Sequence, residues 1–355
     1  MSPRPEDPGN SRTASAADLR AIEDLLAKYQ SMKTQLAGVL VGMDEIIEQL
    51  TIAILCRGHC ILQGMPGLAK TLLVSSMASL MHLSFRRVQF TPDLMPSDIT
   101  GTDVLEEDRT TGKRVFRFIP GPLFGNLILA DEINRTPPKT QSALLEAMQE
   151  RQLTIGGETY ALPDPFFVLA TQNPIEQEGT YSLPEAQLDR FLFKIHVGYP
   201  KREDEIEICK RASADYSFQP QPVLTAEELI QMQQLIRRVP VADHVYEFAV
   251  DLARMTRPEE KQLPKSLQEM VQWGAGPRAA IFLLLAAKAR AVLHHRHHAT
   301  TEDVSAVALP VLRHRIIPTF NAEAAGVSTD EIVRQLLNQM RGGTGTAGRA
   351  KAAVR

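Results

Sequence analysis

The segment Gly64-Met65-Pro66-Gly67-Leu68-Ala69-Lys70-Thr71 places two glycines, a lysine and a hydroxyl within one short stretch. It follows the apolar run 60–63 and precedes the helical run 72–81. A glycine-rich turn that opens a helix aims backbone N–H groups at phosphate oxygens. The lysine then reaches the outer phosphates, and the hydroxyl can ligate Mg²⁺. Ala69 stands where the signature GxxxxGK[ST] has its second glycine, so the expectation is a residue with negative φ and little side-chain room. Taken alone, the loop could also be a plain tight turn.

Two further clusters fit the same chemistry. The apolar run 127–130 ends in Asp131-Glu132, and the run 166–171 ends in Gln172-Asn173. Ligands of open α/β sheets gather at the carboxyl ends of strands. There Asp131 can hold the metal shell and Glu132 can polarise an attacking water. Asn173 can hydrogen-bond that water or a terminal phosphate. A lone acidic pair is more often a solvated turn, and Asn-Pro is a common turn signal; the neighbouring phosphate loop favours the chemical alternative.

Positioning these groups requires strands that end together. Apolar runs at 59–63, 87–90, 127–130, 166–171 and 191–197 alternate with helical segments, which predicts a three-layer αβα domain around a mostly parallel sheet. After Tyr199-Pro200 the pattern is helical, at 202–213, 225–237, 241–256, 277–294 and 301–313, which predicts a smaller all-α domain. An amphipathic helix over 18–36 precedes the core. The expected organisation is a disordered tail at 1–17, an αβα core at 18–200, a helical domain at 201–340 and a second disordered tail at 341–355.

Composition bounds the class. The 355 residues are 44% hydrophobic and 23% charged, as in ordinary folded proteins. A net charge of −3 offers no chain-wide attraction to nucleic acid or acidic lipid. Three cysteines cannot build a disulfide framework in a chain this long. The N-terminal residues lack a signal-like apolar stretch, and no run approaches the length of a membrane span. The expectation is a cytoplasmic protein.

Together GMPGLAKT (64–71), LADEINRTPPKTQSALLEAMQE (129–150), ATQNPIEQEGTYSLPEAQLDRF (170–191) and GPRA (276–279) resemble the MoxR family of AAA+ ATPases, over roughly residues 36–320. The resemblance implies a P-loop NTPase fold of the AAA+ type with a lid domain, binding ATP and Mg²⁺. It places Gly64 to Thr71 in Walker A, Asp131 and Glu132 in Walker B, Asn173 as sensor 1 and Arg278 as sensor 2. Arg190 resembles an arginine finger, with Arg135 as a rival. Val41-Gly42 matches the segment beside the adenine. The family also implies a ring, commonly a hexamer, and chaperone-like action on a protein client or on a partner with a von Willebrand factor A domain. A nucleic-acid motor and a nucleotide-gated scaffold are the alternatives.

Two insertions resemble the same branch: a hairpin about Gly156-Gly157 within 151–162 and a longer insertion at 90–125. Such loops commonly engage substrates in these proteins. Cys56 and Cys60 are expected to be structural, since Cys60 falls on a buried strand. His294-His295-Arg296-His297-His298 fits a helix end better than a metal site.

Overall fold

The computed structural model describes residues 16–107, 114–174, 180–214, 218–260 and 265–351. Residues 1–15 and 352–355, within the two expected tails, lie outside that set. Helix α1 (Ala16–Val39) is followed by α2 (Asp44–Leu55), β1 (Cys60–Gly64), α3 (Lys70–Leu80), β2 (Phe85–Gln89) and α4 (Pro96–Thr100). A hairpin of β3 (Gly101–Glu107) and β4 (Arg114–Pro120) leads into β5 (Leu127–Asp131) and α5 (Pro138–Glu150). A second hairpin, β6 (Gln152–Ile155) and β7 (Glu158–Ala161), precedes β8 (Phe167–Gln172), α6 (Glu185–Leu188), β9 (Phe193–Val197), α7 (Arg202–Ser213) and α8 (Ala226–Arg238). The remainder comprises α9 (Asp243–Arg254), α10 (Lys265–Gln268), β10 (Val271–Trp273), α11 (Pro277–Leu293), α12 (Thr301–Leu312), β11 (Ile317–Pro318), α13 (Phe320–Ala324) and α14 (Thr329–Lys351).

The expected sheet is present, with strand order β2-β5-β8-β1-β9 and every pairing parallel. Its three inner strands, β5, β8 and β1, are apolar on both faces. Ile61, Val88, Ile128, Ala130, Val168 and Ala170 pack with Leu144, Leu145 and Met148 of α5, while the alternate residues Leu62, Leu127, Leu129 and Leu169 are also buried. Burial on both faces is what a parallel sheet between two helical layers demands. Each insertion contains an antiparallel hairpin, the longer one after the short α4, and Gly156 and Gly157 take positive φ at the turn of β6–β7 as their sequence suggests.

Contacts divide the chain within α1 and α8 into residues 28–233 and a second unit of 16–27 with the residues from 234 onward. The division differs from the expected boundary at 200. Segment 201–233 stays with the sheet because Val223 N–H donates to the Leu80 carbonyl at 2.7 Å, and the buried Gln233 amide donates to Ile54 O at 2.8 Å.

The second unit is helical, as expected, with one small addition among the described residues, the short antiparallel pair β10–β11. Val271 and Trp273 suit a strand, and three residues are too few to show a period. Its α12 starts at a capping box in which Asp303, fully buried, accepts from Thr300 N, Arg290 and Arg296. Helix α14 runs to Lys351, across residues 341–351 that were expected to be disordered. Ile332, Val333, Leu336 and Leu337 anchor its first turns, and an anchored helix extends without a new nucleation cost. Among the described residues no helix is long and apolar enough to cross a membrane.

Candidate functional site

Strand β1 delivers the loop to the carboxyl edge of the sheet. A Cβ on Gly64 would come within 2.5 Å of the Val197 carbonyl on β9, so the strand can end there only as glycine. Gly67 takes φ +83, and a Cβ on it would meet nothing within 4 Å. The space beside this left-handed glycine is open, so the loop backbone there is accessible to a phosphate. Ala69 has φ 51 and ψ 22, which overturns the expectation of negative φ. A left-handed residue immediately before Lys70 turns the loop into α3, and alanine there costs about 1 kcal/mol relative to an unstrained conformation.

Lys70 is half-buried in the first turn of α3, with Thr71 next to it. Its ammonium donates to the Gly64 carbonyl at 2.7 Å, tying the helix back to the start of the loop. Burial lowers its pKa, while the Asp131 and Glu132 carboxylates oppose that shift. The cation and both acids therefore share one local field.

The acids are held from two neighbouring strands and from the turn that follows β5. Thr171 Oγ1 on β8 donates to Asp131 Oδ1 at 2.6 Å and accepts from Glu132 N–H at 2.8 Å. Arg87 on β2 donates to Asp131 Oδ2 at 2.7 Å. Gln89, in register with Asp131, donates to Glu132 Oε2 at 2.7 Å. Arg135 reaches the same oxygen at 2.8 Å. Glu132 itself sits in the left-handed region, φ 57 and ψ 49, where the chain leaves β5 for a short 3₁₀ turn over Ile133–Arg135. Asn173 follows β8 and is buried.

A cavity of about 320 Å³ lies in the same unit, lined by Gly38, Val39, Val41, Leu72, Ile208, Arg211, Ala212 and Phe218. The size and apolar lining suit a small planar ligand group. Val41 is thus in a cavity wall. Neighbouring Gly42 takes φ +72 with its Cβ direction blocked by the Asp204 carboxylate at 2.5 Å. Gly38 lies under the Phe218 ring, 3.1 Å from where a Cβ would stand. Arg211 donates to the Ala37 carbonyl at 2.8 Å, covering a terminal group of α1.

Arg190 lies apart from this cluster in its bonding: its guanidinium donates to the Leu145 carbonyl at 3.3 Å. Arg278 occupies the first turn of α11 in the second unit. Among the described residues no group of His, Cys, Asp and Glu could hold a metal by itself. In the His segment His295 is a left-handed residue just past α11, and Arg296 is bound to Asp303.

Arg87, Gln89, Thr171 and Phe218 were missed by sequence reasoning. For Thr171 a signal existed, since residues two apart on a strand share a face and Asn173 was already a candidate. Arg87 and Gln89 are related in the same way, but their approach to the acids depends on β2 pairing with β5.

A strand-loop-helix cradle after β1 and an acidic pair at the end of β5, in a parallel sheet where β8 lies between those two strands, define a P-loop NTPase fold of the AAA type. The family model described as "ATPase family associated with various cellular activities (AAA)" matches residues 59–193, and an AAA lid domain model matches 265–336. The chain is 42% identical to YeaC, an uncharacterised protein of Bacillus subtilis, over 85% of its own length and 91% of the relative's. It is 39% identical to the chaperone MoxR1 of Mycobacterium tuberculosis over 95% and 86%. A solved structure of a candidate ATPase from Cytophaga hutchinsonii superposes with a TM-score of 0.83 at 42% identity, covering 91% of this chain and 97% of that one. The chain belongs to the MoxR family of AAA+ ATPases.

Proposed function

We propose that the protein is a Mg²⁺-dependent ATPase that acts as a ring, a hexamer by family resemblance, and uses hydrolysis to remodel or mature protein partners. The observation that carries this is that the loop ending in Lys70 and the Asp131-Glu132 pair both lie at the carboxyl edge of the parallel sheet, near enough for the two carboxylates to act on the lysine's charge. When bound, ATP supplies the scissile phosphoanhydride and Mg²⁺ supplies positive charge that neutralises its phosphates. The open space beside Gly67 leaves room for phosphates, and the apolar cavity suits a base.

In this account the backbone from Gly64 through Met65, Pro66, Gly67, Leu68 and Ala69 cradles the phosphates, with Lys70 as the principal cation. Thr71 and Asp131 would hold the metal. Val41 and Gly42 form part of the base wall. Glu132 polarises the attacking water, for which its carboxylate must be released from Gln89 and Arg135. Asn173 orients the same water. Arg190 is the group offered to a neighbouring subunit's phosphates, since its 3.3 Å bond to a carbonyl is easily exchanged, whereas Arg135 is engaged with its own Glu132. Arg278 would sense nucleotide from the lid.

Similarity to a protein named as a chaperone supports a protein client; a partner with a von Willebrand factor A domain rests on the family resemblance alone. The net charge of −3 weighs against a nucleic-acid motor, and an intact Glu132 weighs against a scaffold that scarcely hydrolyses. The test is ATP turnover by the wild type and by Glu132→Gln. Turnover that vanishes in the variant, with ATP binding retained, supports the assignment; equal turnover in both refutes it.

A further inference from the structure

We propose that Thr171 is a positioning residue for hydrolysis, acting as the clamp that holds the Glu132 backbone in its left-handed conformation and orients Asp131. The inference deepens the ATPase assignment and rests on it for its kinetic consequence.

Thr171 is 1% exposed and lies on β8, the central strand of the sheet. On its β1 side it is in register with Leu62. Toward β5 its hydroxyl faces two groups of opposite demand. It donates its proton to Asp131 Oδ1 at 2.6 Å and accepts the Glu132 N–H at 2.8 Å. A hydroxyl can do both at once. A methyl group can do neither.

The second bond has a conformational consequence. A glutamate at φ 57 is sterically disfavoured and persists only where its surroundings fix it. Two hydrogen bonds fix this one: its N–H to Thr171, and its carbonyl to Arg135 N–H at 2.9 Å. Because φ is set at the N–H side, loss of the Thr171 acceptor frees the torsion that aims the Glu132 side chain. Loss of the donor simultaneously frees one oxygen of Asp131. One atom therefore sets the two acids relative to each other. Gln89 and Arg135 contact the carboxylate end of Glu132 and do not replace this backbone restraint.

The test uses the full chain with Thr171→Val, which keeps the side-chain shape, and Thr171→Ser, which keeps the hydroxyl. Turnover by Thr171→Val is expected to fall about 10- to 100-fold, the range typical when a group behind a catalytic ligand is removed. ATP affinity is expected to stay close to wild type, since no proposed phosphate or base contact is touched. Thr171→Ser should recover most of the turnover. A crystal structure of Thr171→Val should show residue 132 outside the left-handed region. Wild-type turnover in Thr171→Val overturns the proposal, as does an equal loss in the Val and Ser variants accompanied by equal loss of melting temperature. A left-handed Glu132 in the Val structure also overturns it. If the wild type bound no nucleotide, the ATPase assignment would fail by itself, and the conformation of residue 132 would still decide whether Thr171 is the clamp.

Discussion

Acidification should weaken the αβα unit through His59, whose environment admits only the neutral ring. The side chain is 5% exposed. Its Nδ1 accepts from Val168 N–H at 2.9 Å, and its Nε2 lies 3.2 Å from the Met148 carbonyl. Those partners require the tautomer protonated on Nε2. The ring also stacks against Phe167, at 6.1 Å between centroids. Burial pulls its pKa down to about 4 from the usual 6.5; the Met148 bond opposes the shift and the Arg151 charge adds to it. Between those values the unfolded chain binds a proton that the folded chain refuses. The stability is fully present above about pH 6.5 and is lost as pH falls toward about 4. At about 1.4 kcal/mol per pH unit, the full loss is about 3 kcal/mol. About 2 kcal/mol of it should be gone by about pH 5. Urea unfolding followed by circular dichroism at about pH 7.5 and about pH 5 measures this slope. His59→Asn keeps an acceptor for Val168 and cannot titrate, so its slope should be shallower by the same amount. Equal slopes in the two proteins would refute the mechanism.

Further expectations follow from other restraints. Ala69→Gly should stabilise the protein by about 1 kcal/mol by relieving φ 51, read as a higher urea midpoint with ATP affinity retained; a lower midpoint would contradict it. Asp303→Asn should destabilise the second unit by about 3 kcal/mol, because Arg290 and Arg296 would keep their charges without the buried anion they face. Its melting transition checks this. Phe218→Ala should weaken ATP binding by about 1 kcal/mol if the cavity takes the base, as measured by calorimetric titration. Lys70→Ala should abolish tight ATP binding, and unchanged affinity would reject its assigned role.

Local chemistry was largely legible before the structure. The apolar run into Gly64, the Lys70-Thr71 pair at a helix start and Asp131-Glu132 after an apolar run each carry their meaning within a few residues. The parallel sheet followed from the same runs, and the Gly156-Gly157 hairpin from its turn chemistry. What escaped was set by pairing across strands. Gln89 reaches Glu132 only because β2 lies beside β5 in register with Asp131. Thr171 reaches both acids only because β8 lies on the other side of β5. Ala69 misled for a different reason: alanine normally signals a right-handed residue, and the loop geometry overrides that preference. The core's extension past residue 200 was hidden because α7 and α8 have the same helical period whichever unit they join.

The most direct test of the central claim is ATP turnover by the wild type and Glu132→Gln across a range of protein concentrations, with mass measured in parallel. The account predicts wild-type specific activity that rises as rings assemble, and an assembled Glu132→Gln that binds ATP without hydrolysing it. Concentration-independent turnover by a monomer, or turnover undiminished in Glu132→Gln, would contradict it.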